Sequence, residues 1–225
     1  MNISTLNKQE VEKRNKFRCK HGHTGLGHPA CYDAKNARKP EKVGFADIET
    51  TNLVATYGIC LTYCIKEADG PIIKRSITLK DLYDGVFDRN LLKQFCEDAV
   101  KFDRLIFHYG NDRRFDMPFL RTRCELFGLN FPQPGMLLIS DTYPVLRNKM
   151  RLHSNRLQTA CDFFGIESKG HKLTPEIALS MFTGNKKKMA AALRYYMVHN
   201  VEDVIATEKL WKRIGKYTRI TNTSV

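Results

Sequence analysis

The stretch VGFADIET, residues 43 to 50, ends an apolar run with two carboxylates, Asp47 and Glu49, on either side of Ile48. On a strand, side chains at i and i+2 point the same way, so Asp47 and Glu49 project together while Ile48 enters a core. Two carboxylates that close repel each other and raise one another's pKa unless positive charge lies between them. A divalent cation meets that need, and magnesium and manganese prefer oxygen ligands of this kind. The competing reading is a solvent-facing strand end, which the apolar neighbours on both sides weaken.

More carboxylates follow in chemically similar settings. FHYGNDRRFDMPFL comes after a short apolar strand and brings Asp116 to the start of a helix, behind Asn111, Arg113 and Arg114. YYMVHNVEDVIATEKLW has the spacing of a long helix, on which His199 and Asp203, four apart, share one face.

These segments, in this order, resemble the DEDD exonuclease superfamily, whose domains have the RNase H-like fold and include the proofreading domains of DNA polymerases. The D-x-E strand is matched by Asp47 and Glu49, the N-x-x-x-F-D-like segment by Asn111 through Asp116, and the helical aspartate by Asp203. RLHSNRLQTACDFFGI is similar to the helix that precedes the family's third motif, and the likeness covers about residues 43 to 215. One branch of the family carries Tyr four residues before the last Asp; another carries His five before it. His199 stands at the tyrosine spacing, and Asn200 and Val204 also match that branch. Tyr195 and Tyr196, eight and seven residues upstream of Asp203, are the alternatives, but about two turns away they are too distant to take that place.

The resemblance implies a 3′-5′ exonuclease acting on single-stranded ends of DNA or RNA with two Mg²⁺ or Mn²⁺ ions. It assigns Asp47 to both ions, Glu49 and Asp203 to the one that activates water, and Asp116 to the second. His199 is expected to orient or deprotonate that water as a neutral imidazole. Two other readings stand beside this one: a nucleic-acid-binding module on a degenerate exonuclease-like scaffold, and a structure-selective endonuclease, since one fold serves several activities. The four intact acidic residues argue against the first of these.

A second group of ligand types lies upstream. In CKHGHTGLGHPAC, residues 19 to 31, Cys19 and Cys31 flank His21, His23 and His28, with glycines that permit a tight loop. Zinc takes four nitrogen or sulfur ligands in a closed tetrahedron, and this segment offers five candidates. Cys19, His28 and Cys31 stand out, with His21 or His23 as the fourth; a flexible basic arm with incidental histidines is the alternative. The remaining cysteines, Cys60, Cys64, Cys96, Cys124 and Cys161, have apolar neighbours and no framework spacing, which suits reduced core thiols.

Charge supports a polyanionic partner. Lys and Arg exceed Asp and Glu by 37 to 24, and residues 1 to 42 hold ten basic against four acidic side chains. Arg113 and Arg114, and Arg151 and Arg156 in RNKMRLHSNR with Arg147 and Lys149, are candidates for backbone phosphates, with Asn111 beside them. No apolar run is long enough to cross a bilayer, and the first residues lack the apolar centre of a secretion signal, so a soluble, intracellular protein is expected. A protein partner is left open.

The elements that must position these residues read as an α/β domain over 41 to 225, after a basic segment of 1 to 40 with the zinc loop, and the resemblance implies an RNase H-like mixed β-sheet flanked by helices. Strands are expected at 43 to 49, 54 to 66 and 71 to 79, with EADG as a hairpin turn, then at RLIFHY and MLLISDT. Helices are expected at about 88 to 102, 115 to 127, 155 to 164, 175 to 183 and 186 to 215.

Overall fold

The computed structural model describes residues 8–36, 41–133, 135–168 and 170–218. Parts of both segment boundaries drawn from the sequence, residues 1–7, 37–40 and 219–225, lie outside them. The chain divides into two compact units, Met1–Glu41 and Lys42–Val225. In the first, helices α1 (Lys8–Lys16) and α2 (Pro29–Asn36) stand on either side of a turn-rich loop; neither helix is expected from the aperiodic sequence there.

The second unit holds five strands, β1 (Val43–Thr50), β2 (Cys60–Glu67), β3 (Ile72–Ser76), β4 (Arg104–Phe107) and β5 (Leu138–Asp141), in the order β3-β2-β1-β4-β5. β1 pairs antiparallel with β2, and β2 with β3; β1 with β4 and β4 with β5 are parallel. The helices are α3 (Leu79–Tyr83), α4 (Arg89–Ala99), α5 (Asp116–Leu126), α6 (Thr142–Lys149), α7 (Leu157–Phe164), α8 (Pro175–Ser180) and the long α9 (Lys186–Ile214). This is the mixed sheet flanked by helices that the resemblance implies.

Alternation along β1 sorts its residues between the two faces. Ala46 and Ile48 join the main core with Leu92 and Phe95 of α4 and Met117 and Leu120 of α5. Phe45 packs with Cys64, Ile106 and Val204 of α9. Asp47 and Glu49 continue the parity of Phe45, so they emerge on the α9 side. β2 is buried at six successive positions, as expected of a strand covered on both faces.

Two local departures have clear causes. The strand expected from 54 begins only at Cys60, because the Asn52 side chain accepts from the Val54 amide at 2.8 Å and Gly58 N–H closes a turn onto the Val54 carbonyl at 2.9 Å. Val54 and Tyr57, apolar by type, are exposed in that loop. α6 is not expected either, yet Asp141 caps it by accepting from Tyr143 N–H, and Pro144 falls in the first turn, where no amide is required. The EADG hairpin turn is present, with Glu67 N–H donating to the Pro71 carbonyl.

All seven cysteines are unbridged, and Cys60, Cys64, Cys124 and Cys161 are buried. An ion pair lies deep in the second unit: Arg123 of α5 grips Asp88 through Nε at 3.0 Å and Nη2 at 2.5 Å, while Asp88 also accepts from Cys60 N–H. Among the described residues no helix is long and apolar enough to cross a membrane.

Candidate active site at the carboxyl end of the central strands

β1 and β4 run side by side only over Val43–Phe45 and Arg104–Ile106. Beyond that point β1 stays paired with β2 as far as Thr50 but no longer with β4. The Asp116 carboxylate fills the gap, accepting from Ile48 N–H at 3.2 Å. In open α/β sheets such a parting at the strands' carboxyl ends is where ligands bind.

The loop between β4 and α5 is shaped to bring Asp116 there. Tyr109 adopts a left-handed backbone, φ 71°, a conformation that costs a non-glycine residue energy and persists only when its surroundings enforce it. Asp141 enforces it, accepting from the amides of Tyr109 (2.9 Å) and Asn111 (3.2 Å). Gly110 follows, and a Cβ there would lie 2.6 Å from Phe107 Cβ and 2.7 Å from Asp116 Oδ2. Only glycine leaves room for the carboxylate. The Asn111 side chain accepts from Arg113 N–H at 2.9 Å, so its oxygen serves the loop itself.

α9 supplies the opposite wall. His199 Nε2 lies 3.5 Å from Glu49 Oε1 and 3.7 Å from Asp203 Oδ2. Its other nitrogen, Nδ1, is 2.7 Å from the main-chain carbonyl of His171. A carbonyl only accepts, so Nδ1 carries the proton, and in the neutral ring Nε2 presents its lone pair to the carboxylates. The His171 carbonyl is itself anchored. Glu202 accepts from His171 N–H at 3.2 Å and contacts its Nδ1 at 2.7 Å, and Tyr195 donates to the Lys172 carbonyl. Burial opposes ionisation of Glu202, but the His171 bonds outweigh it and hold the carboxyl below the usual range.

The site is crowded with negative charge in a poorly hydrated setting. Burial first, and then the Asp141 carboxylate, push Asp116 up to about 8, with Asp203 adding to the effect. Asp141 is raised by burial against the pull of its backbone donors. Burial and then the Glu49 carboxylate raise the Tyr196 phenol. Glu49, His199 and Asp203 offer donor atoms that all lie within 4.8 Å of one another, the spacing that a single cation spans. Crowded carboxylate oxygens at the edge of the core are a donor set suited to divalent cations, and the imidazole lone pair faces them.

A cleft of about 330 Å³ opens over these groups, lined by Asp47, Asp203, His108, Tyr109, Tyr143, Asn155, Arg156 and Leu157. Of the basic residues singled out in the sequence, Arg156 is the one on this wall. Arg113 and Arg114 line a neighbouring cleft of about 540 Å³ with Asn111, Asp112 and Asp141. Arg114 lies over the rings of Tyr109 (5.2 Å) and Tyr143 (4.9 Å), which belong to the first cleft, so it backs that wall. Arg151 is exposed and lines neither. Phe119 is buried and Phe115 is packed against the core rather than the cleft.

Asp141, His108, His171 and Glu202 are absent from the sequence reading. Asp141 had a signal, an acid at the end of an apolar strand directly before a helix, which is an N-cap position. His171 acts through a main-chain carbonyl, which no residue type announces. In the first unit, Cys19, His21, His23 and His28 are brought together, with Cys31 against His21.

Comparison with known proteins places this geometry in context. A family model described as RNase_H superfamily matches residues 44–215. The family B DNA polymerase from the hyperthermophilic archaeon Pyrobaculum calidifontis superposes with a TM-score of 0.62 at 18% identity, over 80% of this chain and 25% of that one. The chain thus spans a quarter of the polymerase's length, and the likeness is one of fold. Brucella melitensis NrnC gives a TM-score of 0.48 at 17% identity, covering 79% of this chain and 74% of that one. A nuclease solved in its apo form gives 0.44 at 18%, covering 83% and 80%. No curated protein matches the sequence significantly.

Proposed function

Because the chain belongs to the RNase H superfamily, we propose that it is a 3′-5′ exonuclease of the DEDD type, closest to the tyrosine branch, hydrolysing phosphodiester bonds at single-stranded ends of DNA or RNA. The observation that carries this reading is His199 Nε2 set 3.5 Å from Glu49 and 3.7 Å from Asp203, which lines the cleft together with Asp47.

In this reading Asp47, Glu49, Asp116 and Asp203 hold two Mg²⁺ or Mn²⁺ ions. When bound, such ions supply activation of water and neutralisation of the charge that develops on the phosphoryl oxygens. The chain's own residues do the rest. His199, fixed in one tautomer by the His171 carbonyl, takes the proton of the attacking water at Nε2. Its Nδ1–H stays bonded to that carbonyl as the ring becomes cationic, and Glu49 and Asp203 stabilise the charge.

Substrate groups meet the cleft walls. Arg156 and Asn155 face the backbone phosphate from the loop before α7, while Tyr109 and Tyr143, edge to face at 4.7 Å, offer ring surface to a terminal base. Asp141 and Glu202 act at one remove, holding the loops that carry Asp116 and the His171 carbonyl.

The test uses strands labelled at the 5′ end, single and double, DNA and RNA, incubated with Mg²⁺ or Mn²⁺. A ladder shortening by one nucleotide from the 3′ end is expected. Binding without cleavage favours the degenerate-scaffold reading, and discrete internal products favour an endonuclease; either outcome rejects the proposal.

A further inference from the structure

The first unit carries a cluster for which the proposed hydrolysis has no use. Cys19 Sγ lies 3.9 Å from His21 Nδ1 and 3.7 Å from His28 Nδ1, and Cys31 Sγ lies 3.9 Å from the same His21 nitrogen. In tetrahedral zinc centres, with Zn–S near 2.3 Å and Zn–N near 2.0 Å, a sulfur and a nitrogen ligand stand about 3.5 Å apart. The three observed separations sit just above that edge length.

Two local elements present the ligands in pairs. The chain turns tightly through Gly22 (φ +80°), with Cys19 N–H bonded to the His23 carbonyl and Gly22 N–H to the Cys19 carbonyl, and Arg18 bridged to Thr24. That turn offers Cys19 and His21. His28 immediately precedes α2, and Cys31 lies in its first turn, three residues on, where side chains share a face. That helix start offers the other pair.

Little of the described part of this unit is buried. Among its described residues only Arg14, Cys19, Gly25 and Tyr32 are buried. Around them Arg14 pairs with Asp33 at 2.7 Å and lies 4.3 Å over the Tyr32 ring, and Phe17 meets that ring edge-on at 5.1 Å. Segments below about 40 residues usually need a metal, a disulfide or a partner to fold, and bound zinc supplies such stability directly.

We propose that Cys19, His21, His28 and Cys31 bind one structural zinc ion that joins the turn to α2. Two thiolates neutralise the dication, and two imidazoles complete the tetrahedron. His23, whose donor atom lies within 4.8 Å of those of Cys19, His21 and His28, is the competitor for the fourth position. Cys31 is the better choice because it adds the second negative charge and touches His21 directly.

The experiment measures zinc by mass spectrometry in the purified full-length chain and in variants, and records the absorption of the cobalt-exchanged protein. About one zinc per chain is expected, kept in His23→Ala and in Asp203→Asn and lost in Cys19→Ser and Cys31→Ser. The Asp203→Asn arm separates this site from the proposed nuclease centre, so neither proposal stands or falls with the other. Where a cysteine variant fails to fold, wild-type cobalt protein decides, since thiolate-to-cobalt charge transfer with tetrahedral d–d bands is expected. A zinc-free wild type, cobalt protein without the thiolate band, zinc lost only in Asp203→Asn, or zinc lost in His23→Ala but kept in Cys31→Ser overturns the assignment.

Discussion

His199 donates its Nδ1–H to the main-chain carbonyl of His171, 2.7 Å away, and this bond decides which nitrogen faces Glu49 and Asp203. Replacing His199 by Ala removes the proposed proton acceptor while leaving the four carboxylates in place. Turnover is expected to fall on the order of 10²-fold or more, with Mn²⁺ binding largely kept. Steady-state cleavage beside calorimetric titration measures both; wild-type turnover in the variant removes His199 from the mechanism.

Glu202 anchors the segment that supplies that carbonyl, through its bonds to His171 N–H and Nδ1. Outer groups that orient a metal-site histidine typically contribute 10–100-fold, so Glu202→Ala is expected to lower kcat by about 10-fold with KM little changed. An unchanged kcat rejects the positioning role.

Gly110 leaves space for Asp116 where a methyl group would sit 2.7 Å from Oδ2 and 2.6 Å from Phe107 Cβ. Neither neighbour has room to yield, because Phe107 is buried in the core and Asp116 is bonded to Ile48 N–H. Gly110→Ala is therefore expected to cost about 1–3 kcal/mol and to abolish most activity. Retained cleavage at wild-type rate in a folded variant contradicts the placement of Asp116.

Arg123 and Asp88 form a buried ion pair in the core of the second unit, with side-chain exposures of 7% and 0%. Arg123→Met leaves the Asp88 carboxylate without its countercharge, which typically costs about 3–5 kcal/mol. Urea unfolding is expected to show a lower midpoint with an unchanged slope. A loss under about 1 kcal/mol means that the pair behaves like a surface salt bridge.

Glu208 of α9 binds Lys66 at 2.8 Å and accepts from Asp69 N–H at the β2–β3 turn, and Lys212 pairs with both Glu208 and Asp69. Burial disfavours its charge, but these donors win and hold its pKa below the ordinary 4.5. A carboxylate depressed on folding stabilises the native state above its unfolded pKa, and that contribution disappears as pH falls through the folded value. Glu208→Gln is expected to be less stable at neutral pH, with the gap to wild type closing below about pH 4. A gap independent of pH contradicts the linkage.

Much of the site is legible in residue spacing, and the limits of that legibility are physical. Asp47 and Glu49 follow from strand parity and His199 and Asp203 from helical periodicity, because both place side chains on a common face. Asp116 follows from its place after an apolar strand at a helix start. Asp141, Glu202 and the His171 carbonyl do not, since they act through backbone amides and carbonyls that any residue carries. The mixed sheet is expected, but its strand order depends on which nonlocal pairs bury most surface. Likewise Val54 and Tyr57 have strand-forming side chains, yet Asn52 and Gly58 turn that segment into an exposed loop. Among the arginines, spacing does not distinguish Arg156 on the cleft wall from Arg151 in solvent, because both follow the same polar loop.

Asp47, Glu49, Asp116 and Asp203 are proposed to form one centre for divalent cations. Calorimetric titration of Mn²⁺ into wild type and Asp47→Asn, with zinc already bound or removed identically in both, tests it most directly. About two Mn²⁺ per wild-type chain are expected, with the loss of at least one in Asp47→Asn. Equal Mn²⁺ binding by both proteins, or none by wild type, contradicts it.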